Sequence, residues 1–447
     1  MAAAQPRAGR ELVRVLGLIF ALAAVVGGAV GQGILRAPGI VAEAVPYPVF
    51  ILLLWLAGAA IAAVNAVPYA ELGCAVPQAG GPYVFVRRAF GPTAGVIVGW
   101  SDWFNNIASQ AFMSVVVAEF VHRLGWATTV PVGVLAPPVI GVFFALNWTN
   151  TRLCGSSQTL GSIVKGGALL ALVLILLFAP SRHAVVATAA EPTPIAMGFG
   201  AIVIALRAVQ NTYDGWNNGI YFCEEMHAPE RHIPGALFGG IALVGMLYLL
   251  VNIALLHVLS SAAMAHSTFA AADALGVVLG QWANTVLTLF GIISVAAILN
   301  LTVMFAPRIV LAMARDRVLP SALATVAPGG SPRLALVATT AAAVVLASSG
   351  TYEQLIAFAV AVGILGNLAV DLAALRLRRS EPNLARPWRA ALYPWSFIAP
   401  AAINVALLGG LIYEDPLHSL AGTGLSIAIG VLYWLKTRLR PTAIQPA

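Results

Sequence analysis

Residues 197–222 read MGFGAIVIALRAVQNTYDGWNNGIYF, an apolar run that is interrupted in its second half and then resumes. The run is long enough to cross a bilayer, which takes roughly 20 residues of α-helix. Asp214, Gly215 and Asn217 are poor residues for the middle of a helix. Since a membrane tolerates unwound backbone only where protein or a wet cavity satisfies it, the interruption predicts a binding site near the membrane midplane. The alternative is a helix that ends at Gln210, followed by a loop.

Composition predicts an integral membrane protein. Of the 447 residues, 60% are hydrophobic and 9% are charged, with a mean hydropathy of +0.90, whereas a soluble domain carries roughly 25% charged residues. The length fits twelve spans of roughly 20 residues each. The predicted class is therefore an all-α polytopic membrane protein with 12 transmembrane helices and no soluble catalytic domain. The spans are placed at 13–44, 47–70, 93–122, 131–147, 157–179, 194–222, 235–259, 281–312, 334–349, 354–375, 392–413 and 420–435.

Basic residues indicate the orientation of these spans. Most of the 24 lysines and arginines lie in segments that this layout places on the same side as the N-terminus. The positive-inside rule assigns that side to the cytoplasm, so residues 1–12 and 437–447 are predicted to be cytoplasmic tails. The expected partner is a lipid bilayer, either the plasma membrane or the inner membrane of a cell. No nucleic-acid partner is expected, because no run of basic residues is interleaved with aromatic ones.

A second interruption is predicted in the first span, where residues 27–33 read GGAVGQG. Each of these four glycines costs about 1 kcal/mol relative to alanine inside a helix. The first and sixth spans cross the membrane in opposite directions. Broken helices at matching positions of two five-span halves indicate an inverted-repeat transporter. The alternative is a tight helix crossing through small residues.

Short motifs follow one another along nearly the whole chain: GQGI (31–34), ELG (71–73), GGPY (80–83), AFGP (89–92), YDGWN (213–217), EE (224–225), PERHIP (229–234), AMARD (312–316), LP (319–320), RPWR (386–389) and LYP (392–394). In this order they resemble the amino acid/polyamine/organocation (APC) superfamily, most closely its amino-acid permeases, including the L-type exchangers. The resemblance implies a leucine-transporter-type fold, a 5+5 inverted repeat with two extra helices. The expected organisation is repeat 1 at 13–180, repeat 2 at 194–377 and the extra helices at 390–436.

An amino acid presents a carboxylate and an ammonium group, and broken helices offer main-chain partners for both. The free N–H groups of Gln32, Gly33 and Ile34 are expected to face the carboxylate, which the half-helix dipole favours. The free carbonyl groups at the second interruption are expected to face the ammonium group. The family uses its unwound segments in this way. The predicted substrate-binding set is Val30, Gly31, Gln32, Gly33, Ile34, Gln210, Asn211, Thr212, Tyr213, Asp214, Gly215 and Trp216.

Asn211 departs from the family, which often has a bulky aromatic gate at this position. The occluding role is then expected to pass to Tyr213 or Trp216, or the pocket is roomier; the alternative for both aromatic residues is ordinary interhelical packing. Asp214 is expected to hold amide groups of the site or to balance a cation, and its alternative role is a cap for the inner half-helix. Asp102 is interpreted as structural.

Lys165, early in the fifth span, is predicted to be the coupling residue. A lone cation inside a membrane is expensive and marks a functional site by default. The resemblance implies that this lysine occupies the position where sodium binds in related proteins and that it bridges helices 1 and 8. Loss of its proton would also permit proton coupling. The alternative is a lysine that snorkels to the cytoplasmic interface.

Arg36 and Arg207 are predicted to line the outer vestibule, each about one turn outward of an interruption, where they would attract an anionic group. The alternative is an internal ion pair with Glu43, Glu119 or Asp273.

The predicted function is secondary active transport of amino acids by alternating access, independent of sodium, as a proton symporter or an exchanger. The alternatives are a transporter of polyamines or organic amines and a non-transporting amino-acid sensor. An enzyme is not expected, because the chain has no Walker, HExxH or dinucleotide motif. No cofactor or metal is expected, since the histidines are scattered. No disulfide-linked heavy chain is expected either, because Arg123–Val130 lacks the outer cysteine of exchangers that pair with one.

Overall fold

The computed structural model describes residues 11–31, 33–179, 198–267, 269–349, 352–414 and 416–439, and these residues are almost entirely helical. Two segments are 3-10 helices, at Trp216–Glu225 and Ser321–Ala324. An isolated bridge joins Leu16 to Met226. The α-helices are α1 (Leu18–Ala29), α2 (Gly33–Ala44), α3 (Pro48–Ala75), α4 (Pro82–Phe90), α5 (Pro92–Arg123), α6 (Val132–Thr149), α7 (Thr151–Leu177), α8 (Phe199–Tyr213), α9 (Pro229–Val258), α10 (Ser261–Ala265), α11 (Ala270–Leu279), α12 (Trp282–Arg315), α13 (Arg333–Ser349), α14 (Tyr352–Ser380), α15 (Trp395–Glu414) and α16 (Pro416–Leu439).

The all-helical membrane class is confirmed. Among the described helices, seven are long and apolar enough to cross a membrane, and the bent pair α1–α2 is an eighth. Each predicted span overlaps one helix or one interrupted pair. The short helices α4, α10 and α11 were not predicted, because elements this short do not produce an apolar run of membrane length. The predicted boundary between the repeats falls on residues 180–197, outside the described ranges.

The helix boundaries follow from local chemistry. Proline stands in the first turn of α3, α4, α5 and α9, where its missing N–H group costs nothing. The side chain of Asn150 caps α7 by accepting a hydrogen bond from the Leu153 N–H group at 2.8 Å. Gly91, at φ +92°, turns the chain between α4 and α5, in a region of backbone space that favours glycine.

One continuous apolar core contains α1, α3, α8 and α9. The helix α1 packs against α7, α9 and the 3-10 helix Trp216–Glu225, and α3 packs against α8 and α9. On another side of the bundle, α5 packs against α12 and α14. The two interrupted segments therefore lie side by side within the bundle, with their main-chain groups facing protein rather than lipid.

Candidate functional site

The first interruption lies between α1 and α2, as predicted. The helix α1 ends at Ala29, and Val30 adopts an extended backbone at φ −68° and ψ 102°. The helix α2 starts at Gly33 and is bent by 47° from α1. Ile34 is buried and Gly33 is exposed, while Gln32 lies outside the described residues. This geometry removes the partners of main-chain groups on both sides of the break.

The second interruption is also confirmed, at Asp214 and Gly215. The helix α8 continues past Gln210 to Tyr213, so the predicted alternative of an earlier end is wrong. Gly215 has φ +95°, which only glycine adopts readily. The chain then continues as a 3-10 helix rather than an α-helix. A 3-10 stretch inside a longer helix is typical of hinges and strained sequences.

The two interruptions touch each other. A Cβ atom added to Gly28 would lie 2.6 Å from the Gly215 carbonyl oxygen, and one added to Gly215 would lie 2.8 Å from the Gly28 carbonyl carbon. A Cβ atom on Gly33 would lie 3.1 Å from the Thr212 side chain. The breaks therefore lie against each other, and Gly28 and Gly215 meet main chain against main chain.

Lys165 of α7 binds the free carbonyl groups at the end of α1. It is 0% exposed, and its Nζ donates to the carbonyl oxygens of Gly27 and of Val30, the latter at 2.6 Å. Ser294 of α12 donates to the same Val30 oxygen at 3.2 Å. The snorkelling alternative is wrong, because the ammonium group points at the first interruption. A cation here is favoured by the negative end of the α1 dipole.

Tyr248 of α9 joins the two interruptions. Its hydroxyl oxygen lies 2.8 Å from the Ala29 carbonyl oxygen and 3.0 Å from the Thr212 carbonyl oxygen, so its single proton is donated to one of them or shared between the two. The Thr212 carbonyl, predicted to face an ammonium group, keeps room for a further donor, because a carbonyl oxygen can accept two hydrogen bonds. Asn211 is exposed, and Gln210 Nε2 donates to the Gly58 carbonyl oxygen at 3.3 Å. In the sequence, the one sign of this bridging role is that Tyr248 is the single tyrosine of the apolar helix α9.

Tyr213 and Trp216 lie in interhelical packing. Tyr213 is 1% exposed and its hydroxyl donates to the Trp55 carbonyl oxygen at 3.0 Å. Trp216 packs edge-on against Tyr69, with ring centroids 5.1 Å apart. Both positions match the packing alternative. Asp214 Oδ1 accepts from the Gly215 N–H group at 2.9 Å, so this side chain holds an amide of the break.

Asp102 of α5 is bonded to the 3-10 helix that follows the second interruption. The Tyr221 hydroxyl lies 2.9 Å from each Asp102 carboxylate oxygen, and Asn106 Nδ2 donates to Oδ1 at 3.0 Å. Tyr221 stacks on Phe305 of α12 at 4.3 Å. These contacts link the second broken segment to α5 and α12, a connection that the sequence did not reveal.

The arginines predicted to line a vestibule lie on neighbouring helices. Arg36 is exposed on α2, Arg207 is half-buried on α8, and these helices pack together. Among the described residues, Arg36 forms no ion pair with Glu43, Glu119 or Asp273. Asp273, one of these three candidate partners, accepts a hydrogen bond from the Ser267 hydroxyl.

The other end of the second broken segment is closed by ion pairs. Glu225 and Arg308 form a buried pair, and Arg308 lies 4.7 Å from the centre of the Phe222 ring. Glu224 pairs with Arg315 at 2.7 Å. The Leu16 N–H group donates to the Glu225 carbonyl oxygen at 3.0 Å. Several helices and the segment before α1 are thereby held together on this side. In the described ranges, no three His, Cys, Asp or Glu side chains are arranged to hold a metal.

Two touching breaks with a buried cation on freed carbonyl groups define a membrane transporter built on broken helices. The chain belongs to the amino acid permease family, whose model, described as "Amino acid permease", matches residues 16–435. The resemblance to the APC superfamily is thus confirmed, and the chain is a transporter rather than an enzyme.

Several relatives of the chain are transporters of amino acids. The serine/threonine exchanger SteT of Bacillus subtilis (strain 168) is 27% identical over 442 residues, covering 96% of this chain and 98% of that protein. The Asc-type amino acid transporter 1 of Mus musculus is 27% identical over 390 residues, or 85% of this chain and 73% of that protein. The large neutral amino acids transporter small subunit 2 of Homo sapiens is 27% identical over 446 residues, or 94% and 79%.

Proposed function

We propose that the protein moves small neutral amino acids across a membrane by alternating access, without sodium, as an exchanger or a proton symporter. The observation that carries this proposal is the contact between Gly28 and Gly215, with Lys165 bound to the adjacent carbonyl groups. Family membership supports an amino acid as the cargo. The names of the relatives, a serine/threonine exchanger among them, support a small neutral side chain.

The substrate is gripped by main-chain groups from both breaks. Its carboxylate binds the free N–H groups at the start of α2, from Gln32 to Ile34, where the helix dipole favours an anion. Its ammonium group binds the last carbonyl groups of α8 around Asn211. The exposed amide of Asn211 replaces an aromatic gate and offers hydrogen-bond partners to a substrate hydroxyl group.

Lys165 takes the place of a sodium ion. Sodium in a transporter site is held by oxygen ligands such as unwound carbonyl groups, and the Lys165 ammonium group occupies that kind of site at Gly27 and Val30. It also meets Ser294 of α12 at the shared Val30 oxygen. The positive charge that sodium would bring is thus built into the chain.

The membrane layout proposed with this function has twelve spans, both termini in the cytoplasm, and inverted repeats at 13–180 and 194–377. Support comes from the overlap of every predicted span with a helix and from the distribution of basic residues. No covalently bound partner is proposed, because Cys74, Cys154 and Cys223 are all buried. Arg36 and Arg207 beside the breaks disfavour a polycation such as a polyamine as cargo.

Counterflow in proteoliposomes tests the proposal. The purified full chain is reconstituted into liposomes loaded with unlabelled L-serine, and uptake of radiolabelled L-serine is followed with sodium and then with choline outside. Saturable uptake that is equal in both salts is expected, with L-threonine competing and putrescine not competing. Uptake that vanishes in choline refutes sodium independence. No counterflow with any of the twenty amino acids refutes transport and leaves the sensor alternative.

Empty liposomes separate the two modes. An exchanger moves label only when substrate is present inside, whereas a symporter also fills empty liposomes.

A further inference from the structure

A carboxyl group of α14 lies buried where three helices meet. Asp371 is 1% exposed, and its Oδ2 accepts from Asn404 Nδ2 of α15 at 2.8 Å. The same amide donates to Asn65 Oδ1 of α3 at 3.2 Å. Asp371 Oδ1 has no hydrogen-bond partner among the residues that the structure describes. Asp371 lies four residues before the end of the tenth predicted span, 354–375, or about 6 Å along the helix axis, so it lies within that span and near one end of it.

No cation balances Asp371 within the described part of the chain. The basic side chain two turns further along the same face of α14 is Arg378, and it is paired with Glu71 of α3. The titratable group next to Asp371 is Tyr69 of α3, whose hydroxyl donates at 2.6 Å to Asn367 Oδ1, one turn before Asp371.

Other helices packed against α14 bring few titratable groups near this site. The helix α15 contributes Asn404, and α5 contributes Asp102, whose carboxylate is bonded to the Tyr221 hydroxyl. The remaining titratable residues of the described neighbours α4, α5, α13, α15 and α16 lie towards helix ends: Tyr83, Arg87, Arg88, Glu119, His122, Arg123, Arg333, Tyr413, Glu414, His418, Tyr433, Lys436 and Arg438.

An ionised carboxylate here would be a charge buried among helices with no ion pair in the described part of the chain, which is costly and, within a membrane span, marks a functional site by default. A proton on Oδ1 removes that charge and leaves the hydrogen bond to Oδ2 intact. We propose that Asp371 is a proton-binding site, occupied in this conformation and emptied into water in another. In binding, one O–H bond forms between Oδ1 and a proton taken from water, and release reverses that single step.

The site is connected to the second interruption through Tyr69 of α3. Trp216, which follows Gly215, packs edge-on against the Tyr69 ring with centroids 5.1 Å apart, and the Tyr69 hydroxyl donates to Asn367 Oδ1, one turn before Asp371. The helix α3 packs against α8, α9 and the 3-10 helix and also against α14 and α15. A movement of the broken segment is therefore transmitted through α3 to Asn65 and Tyr69 and changes the access of Asp371 to water. Coupling of transport to the proton rests on the proposed transport function.

The test uses the full chain in liposomes without internal substrate and follows radiolabelled L-serine. With one proton per substrate, an inside-alkaline gradient of one pH unit raises the accumulation ratio about tenfold, because one pH unit is a factor of ten in proton activity. Asp371→Asn, which has nearly the same shape, is expected to lose this tenfold effect in empty liposomes while it keeps counterflow in liposomes loaded with L-serine. Asp371→Glu and the exposed-site control Asp273→Asn are expected to keep a gradient response.

Two results would overturn the proposal while leaving the transport function in place. One is wild-type counterflow without any response to the gradient, and the other is an Asp371→Asn variant that responds as the wild type does. Absence of wild-type counterflow would instead refute the transport function.

A second measurement uses the wild-type protein and requires neither a folded variant nor transport activity. Dicyclohexylcarbodiimide reacts with a protonated carboxyl group, whose oxygen adds to the carbodiimide carbon while the proton moves to nitrogen. Mass spectrometry of the wild-type protein treated at pH 6 is expected to find the adduct at Asp371, with less adduct as the pH rises. No adduct at Asp371, or labelling that does not change with pH, rejects the proton site.

Discussion

Replacing Gly215 with alanine tests the contact between the two interruptions. The φ of +95° costs an L-residue about 1–2 kcal/mol. The new methyl group would also lie 2.8 Å from the Gly28 carbonyl carbon and oxygen, and such overpacking costs about 1–3 kcal/mol. Because the obstacle is main chain on both sides, no side-chain rotation relieves it. The expected total destabilisation is about 2–5 kcal/mol.

The matched control is Gly276→Ala in α11. A Cβ atom there meets nothing within 4 Å, and the residue has ordinary helical backbone. Removing a glycine from a helix interior is expected to stabilise by up to ~1 kcal/mol. Thermal unfolding in detergent and L-serine counterflow are measured for both variants. The reasoning is refuted if Gly215→Ala unfolds and transports like the wild type, or if Gly276→Ala loses as much stability as Gly215→Ala.

Three further predictions concern two side chains at the interruptions and one exposed ion pair between α4 and the residue that follows α14. Lys165→Gln keeps two N–H donors but removes the charge, so counterflow is expected to fall at least tenfold while the protein still folds; wild-type counterflow in this variant would contradict the proposed role. Tyr248→Phe removes the one proton that the Ala29 and Thr212 carbonyl oxygens share, with an expected loss of about 1–3 kcal/mol in thermal unfolding; an unchanged midpoint would disprove the bridge. The hydrogen bond from Arg88 lowers the pKa of Glu381, so this pair stabilises the fold above the ordinary carboxyl pKa of about 4.3 and loses its effect as pH falls through the lowered value. Being a third exposed, it contributes at most ~1 kcal/mol; the difference in stability between Glu381→Gln and wild type should be present at pH 7 and shrink as the pH is lowered below the ordinary carboxyl range, and a constant difference would argue against the pair.

The interruptions were predictable from the sequence because their cause is local. Glycine, aspartate and asparagine inside an apolar run disfavour an α-helix wherever the run is placed. The resemblance to a known family then identified Lys165 as a residue of interest, and its burial at Gly27 and Val30 shows why a lone lysine occurs in that span.

The partners of these groups were not predictable, because they come from distant parts of the chain. Tyr248 meets a carbonyl 219 residues earlier in the sequence. Asp371 receives its hydrogen bond from Asn404 of α15, 33 residues later, and the sequence of α14 does not indicate that partner. The change from α-helix to 3-10 helix after Gly215 also depends on packing against α1, α3 and α9, which overrides local preference.

The glycine contact between the broken helices has a consequence for how such a chain diversifies. Gly28 and Gly215 approach each other too closely for a Cβ atom on either residue, so neither can be exchanged without moving main chain. Under the proposed function, the main-chain groups beside this contact bind the carboxylate and ammonium groups that all α-amino acids share. Variation in cargo must therefore accumulate at flanking positions such as Asn211. Relatives that transport other amino acids are expected to keep both glycines and to differ at the positions beside them.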